Sequence, residues 1–162
     1  MSVVAIKDGI IVSDRQGTSG NIKCACTKLC VVQGPNSKVA VAITGTLHHM
    51  APLLDWWNFA NPVGEVPVFQ KTNDWSRLIL AYPSGLVEVI EDHGYAYRID
   101  GNKGFYAFGS GREVAIGAMA VGATAEIAVR TAAAWSADCG MGFDRVVLEK
   151  LDEYPIQDPT ML

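Results

Sequence analysis

Cys24, Cys26 and Cys30 crowd one short stretch of this 162-residue chain, and a fourth cysteine stands at Cys139. A zinc site would have to add His48 and His49, yet neither a C-x-x-C nor an H-x-x-x-H spacing is present. The cysteine stretch is strand-like, and alternate side chains of a strand share a face. Thiols this close therefore read as free, partly buried groups in a reducing compartment rather than a disulfide framework. No metal and no cofactor is expected. The other chemistry-bearing residues stand singly, and each has an ordinary structural reading. Asp14 beside Arg15 suits a turn former or a surface ion pair. Lys28 suits a strand lysine reaching water, Gly45 a strand-to-helix turn, and Gly109-Ser110-Gly111 the start of a helix. The His48-His49 pair reads as a polar face or helix terminus, and Trp56-Trp57 as packing or a subunit contact. Glu88, Glu91 and Asp92 read as a solvated strand edge.

The elements that must position these groups follow from periodicity. Two β-branched runs, residues 2–7 and 10–14, flank Asp8-Gly9, a strong hairpin signal. Residues 18–21 read as a loop. Residues 27–33 and 38–44 form a second strand pair across the turn Gly34-Pro35-Asn36-Ser37. After Gly45 a helix is predicted to Ala60, with Leu47, Met50, Leu53, Leu54 and Trp57 on one stripe. Pro52 is tolerated only in its first turn, which moves the start towards Ala51. A connector follows at 61–72, and strands return at 76–81, 85–90, 95–99 and 105–108. The alanine-rich stretch 112–137 predicts two helices broken near Gly122-Ala123-Thr124, with Thr124 as N-cap. A last strand, 144–150, precedes an irregular tail over 152–162. Strand blocks enclosing helices imply two packed sheets with helices outside, an α+β arrangement without the alternating βαβ order of a doubly wound sheet. Residues 1–151 form a single domain on this reading.

Composition narrows the function classes. Hydrophobic residues make up 49% and charged residues 19%, which describes a globular chain. A formal net charge of -4 without a basic cluster argues against nucleic acid as a partner. No apolar run approaches a bilayer span, and the beginning lacks the pattern of a secretory signal. The expected location is the cytosol.

Taken in order, Ser2-Val-Val-Ala-Ile-Lys-Asp-Gly-Ile-Ile-Val-Ser-Asp14-Arg15 and Thr18-Ser-Gly-Asn21 resemble the start of a proteasome β subunit, or of the related HslV peptidase. The resemblance continues through Lys28, Ile43-Thr44-Gly45, Phe108-Gly-Ser-Gly111, Ala115-Ile-Gly-Ala118, Ala137-Asp138 and Gly142. It omits roughly residues 60–100 and the tail. It implies the Ntn-hydrolase fold, a four-layer αββα sandwich of two antiparallel sheets flanked by helices. It also implies a chemistry in which a hydroxyl on the first residue is activated by that residue's own α-amine, whose pKa of about 7.7–8.0 suits a general base. By resemblance Lys28 lowers the amine's pKa by like-charge repulsion and Asp14 orients Lys28. The Gly45 N–H would hold the oxyanion, a donor worth about 2.7–4 kcal/mol. Ser110 and Asp138 would complete the polar network around the amine.

The sequence departs from that pattern in two places. Matching residues 3–7 to the family's first strand places Met1, not Ser2, in the nucleophile's slot. Removal of Met1 gives Ser2 a free amine; retention leaves it an amide nitrogen, which cannot act as a base. Met141 stands where the family often has a small hydroxyl residue. Two readings lead, and a third, weaker one is a small-molecule binding domain using the vacated cleft between the sheets. One is an N-terminal serine amidohydrolase, a peptidase acting on peptides within a homo-oligomeric ring. The other is an inactive structural subunit of a larger assembly, which could be a virus particle.

Overall fold

The computed structural model describes residues 2–58, 76–91, 96–101 and 103–158. Met1, the connector read at 61–72, Asp92 and Tyr95 lie outside the described residues.

The first hairpin forms as read. Strands β1 (Val3–Lys7) and β2 (Ile10–Asp14) pair antiparallel with Lys7 opposite Ile10. Asp8 and Gly9 take φ of 51° and 70°, the left-handed backbone that a two-residue turn between twisted strands demands. Instead of a loop at 18–21, a small hairpin follows: β3 (Gln16–Ser19) and β4 (Ile22–Ala25) turn through Gly20-Asn21. Turn residues were legible there, but the strands beside them are too short and polar to show a period.

Strands β5 (Leu29–Gln33) and β6 (Lys38–Thr44) come next. A single 3-10 turn, Leu47–His49, then leads into α1 (Met50–Asn58), which places Pro52 in the first turn of the helix. Strands β7 (Arg77–Ala81), β8 (Leu86–Glu91), β9 (Ala96–Asp100) and β10 (Phe105–Gly109) follow. Helices α2 (Arg112–Ala120) and α3 (Ala125–Trp135) break where expected, and the Thr124 side chain accepts from Ile127 N at 3.2 Å as the N-cap. The last strand, β11 (Phe143–Val147), is shorter than read, because residues 148–153 turn into a 3-10 helix. The segment after it is docked: Gln157 N donates to Val31 O, and Lys38 Nζ donates to Tyr154 O.

Among the described residues one sheet has the order β10-β1-β2-β11 and the other β5-β6-β7-β8-β9, every pair antiparallel. The side-chain period of two explains the layering. From β1, Val4 and Ile6 enter the core between the sheets, while Val3 and Ala5 face α2 and α3. From β6, Ala40 and Ala42 face that central core, while Val39, Val41 and Ile43 pack under α1. Both faces of each central strand are thus buried, which is why these segments read as continuous apolar runs. Alanines 115, 125, 128 and 132 form the contact face of α2 and α3, small enough to seat both helices against the sheet. The result is the four-layer αββα sandwich.

Glu88 and Glu91 do not form a solvated edge. They lie on β8, an interior strand, where Glu88 pairs with Arg98 at 2.6 Å and Glu91 with Arg77 at 2.7 Å. Nor do the cysteines share one strand. Cys24 is exposed on β4, Cys26 follows it, and Cys30 is buried on β5. No described helix is long and apolar enough to cross a membrane.

Candidate active site

One end of the sandwich gathers polar side chains that no folding rule places there. Asp14, the last residue of β2, has no solvent exposure, and its carboxylate satisfies four donors. Oδ1 accepts from Lys28 Nζ at 2.6 Å and from Val3 N at 2.9 Å. Oδ2 accepts from Gly140 N at 3.0 Å and Gln16 N at 3.2 Å. A buried carboxylate is tolerable only when so fully bonded. Lys28 precedes β5, is 4% exposed, and donates a second bond to Gln16 O at 2.9 Å. An ammonium carries three hydrogens, and these two acceptors leave one uncommitted among the described residues. The expectation that Lys28 reaches water as an ordinary strand lysine is therefore replaced by a buried ion pair.

Ser2 directly precedes Val3, whose N–H serves Asp14, and is itself held by the start of α2. Its nitrogen donates to Ser110 Oγ at 3.1 Å, and its carbonyl accepts from Ser110 Oγ at 3.3 Å and Gly111 N at 3.2 Å. The close approach depends on Gly109, whose φ is +89° and whose missing Cβ would collide with the Ser2 carbonyl. Ser2 Oγ is buried and finds no hydrogen-bond partner among the described residues. A structural serine that deep would normally be satisfied.

The neighbouring strand brings Gly45 to the same end. Ile43 N donates to Lys28 O at 3.1 Å, and two residues on the chain turns at Gly45 with φ +94°. Asp138 is partly buried in the loop after α3, and its nitrogen donates to Ser136 Oγ at 3.3 Å. Its carboxylate makes no hydrogen bond among the described residues. The following residues of that loop reach the network instead. Gly140 N serves Asp14, and the Cys139 thiol beside it is 3% exposed. Burial first, then the Asp14 charge, pushes the Cys139 thiol up from 9.0. Met141 takes φ +62° and is half exposed.

Sequence reasoning missed Gln16, Cys139 and Gly140. Gln16 acts mainly through its backbone, and its side chain reaches Ala137 O at 2.9 Å, as Lys23 Nζ also does. Only the alternation from Asp14 to Gln16 pointed to it. His49, by contrast, is a buried helix-terminus group with Nδ1 2.8 Å from Ser76 Oγ. No set of three metal-ligating side chains gathers among the described residues.

The fold recurs in solved structures. A protein titled BPH from Thiobacillus denitrificans, in complex with epoxomicin, superposes with a TM-score of 0.63 over 90% of this chain and 97% of its own, at 20% identity. HslV from Trypanosoma brucei gives 0.62 over 90% and 98%, at 18% identity. The fold is that of the proteasome-like Ntn hydrolases. The Anbu complex from Pseudomonas aeruginosa, solved as a helical assembly, shares this Ntn-hydrolase fold with a TM-score of 0.64 over 91% and 80%, at 12% identity. No protein-family model and no curated protein sequence matches the chain.

Proposed function

We propose that the chain is an N-terminal serine amidohydrolase, a peptidase whose nucleophile is Ser2 Oγ and whose general base is the Ser2 α-amine. The observation that carries this reading is the position of Ser2 itself. Ser110 Oγ lies 3.1 Å from the Ser2 nitrogen, while Ser2 Oγ is buried with no hydrogen-bond partner among the described residues. On this reading the nucleophile's slot is built around residue 2 rather than residue 1. The active species begins at Ser2, since an amide nitrogen has no basic lone pair.

In the reaction, Ser2 Oγ attacks the scissile carbonyl as its proton passes to the Ser2 amine. Lys28, held by Asp14, keeps that amine's pKa low enough to be unprotonated near neutrality. The Gly45 N–H holds the developing oxyanion. The ammonium formed at Ser2 then protonates the leaving amine, and water hydrolyses the ester by the same route in reverse. Copies of the chain assemble with one another, and the exposed apolar residues Ile116, Val121 and Ile127 on and beside α2 and α3 supply surface for this.

One observation favours the second reading, an inactive structural subunit. Lys28 makes no hydrogen bond to Ser2 Oγ, and its two bonds go to Asp14 and Gln16. Protein made with Ser2 as its first residue separates the two. Epoxomicin, the compound bound to the Thiobacillus protein, is added and the N-terminal peptide is weighed. An adduct on the Ser2 peptide that disappears in Lys28→Ala supports the hydrolase. An unlabelled peptide whose assembly state survives both Ser2→Ala and Lys28→Ala leaves only the scaffold.

A further inference from the structure

Two of the four thiols converge on one point outside the hydrogen-bonded network. Gly17 on β3 lies directly opposite Cys24 on β4, and Cys26 N extends the ladder by donating to Arg15 O at 2.8 Å. Residues 24 and 26 therefore share a face. A Cβ added at Gly17 would stand 2.9 Å from Cys26 Sγ and 3.0 Å from Cys24 Sγ. Two atoms that close to a single point are within about 6 Å of each other. The missing Gly17 side chain is what lets both sulfurs lean into the same gap. Cys24 is exposed and Cys26 half-buried, so the gap opens to solvent.

We propose that Cys24 and Cys26 form a two-thiolate site for a soft monovalent cation of the copper(I) type. Thiolate sulfur selects such ions over hard ones. With no third His, Cys, Asp or Glu gathered among the described residues, a tetrahedral zinc site has too few ligands here. A disulfide fits less well than a bridging ion. Same-face neighbours along an extended strand lie about 6.6–6.8 Å apart at Cα, at the upper end of the disulfide range, with parallel rather than facing Cβ vectors. An ion held between the sulfurs spans the gap without moving the backbone. Each thiol gives its proton to solvent as its sulfur–copper bond forms, and no electron is transferred.

The test is anaerobic titration of reduced protein with copper(I) against a chromophoric copper(I) chelator. One equivalent should bind per chain. Cys24→Ser and Cys26→Ser should each abolish it, while Cys30→Ala and Cys139→Ala should retain it, with folding checked by circular dichroism. Gly17→Ala keeps both thiols but fills the gap, and should weaken binding by about ten- to hundred-fold. Full binding in either serine variant, or unchanged affinity in Gly17→Ala, overturns the proposal. So does reduced protein that takes up no copper yet loses two thiols to oxidised glutathione, because the pair is then a redox couple.

Discussion

Lys28 Nζ and Asp14 Oδ1 stand 2.6 Å apart with both side chains sealed from solvent. Taking two charges out of water is costly, and the pair survives because four donors converge on the carboxylate. Removing one partner strands the other. Lys28→Met is therefore expected to lower the unfolding free energy by about 3 kcal/mol, read from urea denaturation. An unshifted midpoint would show that the three backbone N–H groups on Asp14 suffice without the lysine.

Gly109 carries a second, purely steric prediction. Its φ of +89° and its contact with the Ser2 carbonyl leave no room for a side chain. Gly109→Ala should cost about 1–3 kcal/mol from the backbone conformation, and should also push Ser2 away from Ser110. Thermal unfolding reads the first effect. Loss of slow amide hydrogen exchange at Gly111, whose N–H donates to the Ser2 carbonyl, reads the second, and unchanged exchange there would mean that the backbone absorbs the methyl group.

The four thiols should react in order of exposure. Cys24 is open to solvent, whereas Cys30 and Cys139 are buried, and burial lifts Cys30 to about 12. Iodoacetamide on native protein should label Cys24 first and leave Cys30 and Cys139 untouched until the chain unfolds. Peptide mapping over time checks this; early labelling of Cys139 would place the loop after α3 away from Ser110.

Much of this was legible in the sequence because burial on both faces writes long apolar runs. Residues 3–7, 38–44 and 77–81 could hardly be anything but central strands, and Asp8-Gly9 fixed the register of the first pair. The ordered positions of Asp14, Lys28, Gly45 and Ser110 pointed to one end of the sandwich. What stayed hidden acts through the backbone or across the fold. Gln16 O and Gly140 N carry no side-chain signature, and the β3–β4 hairpin has no apolar period to read. The exposure of Cys24 beside the burial of Cys30 depends on which strand each joins, which spacing alone does not encode.

Asp144 provides the pH prediction. It lies on β11 with Oδ2 shielded from water and without a hydrogen bond among the described residues, and Arg15 Nε, 3.7 Å away, is equally without one there. Desolvation raises its pKa above 3.8, partly offset by the charges of Arg15 and Lys28. The folded state thus binds the Asp144 proton more tightly than the unfolded state does. The stability this contributes is fully present below the unfolded value near 3.8, and is lost as pH rises through the higher folded value. Above that window the native state carries a poorly solvated charge. Asp144→Asn keeps the shape and removes the charge, while giving up only an ion pair whose arginine is 41% exposed. The variant should therefore gain urea midpoint over the unaltered protein at pH 7, and the gain should shrink at pH 3. An offset of equal size at both pH values would show that the amide acts by packing, and a loss confined to pH 7 would show that the Arg15 pair outweighs the burial.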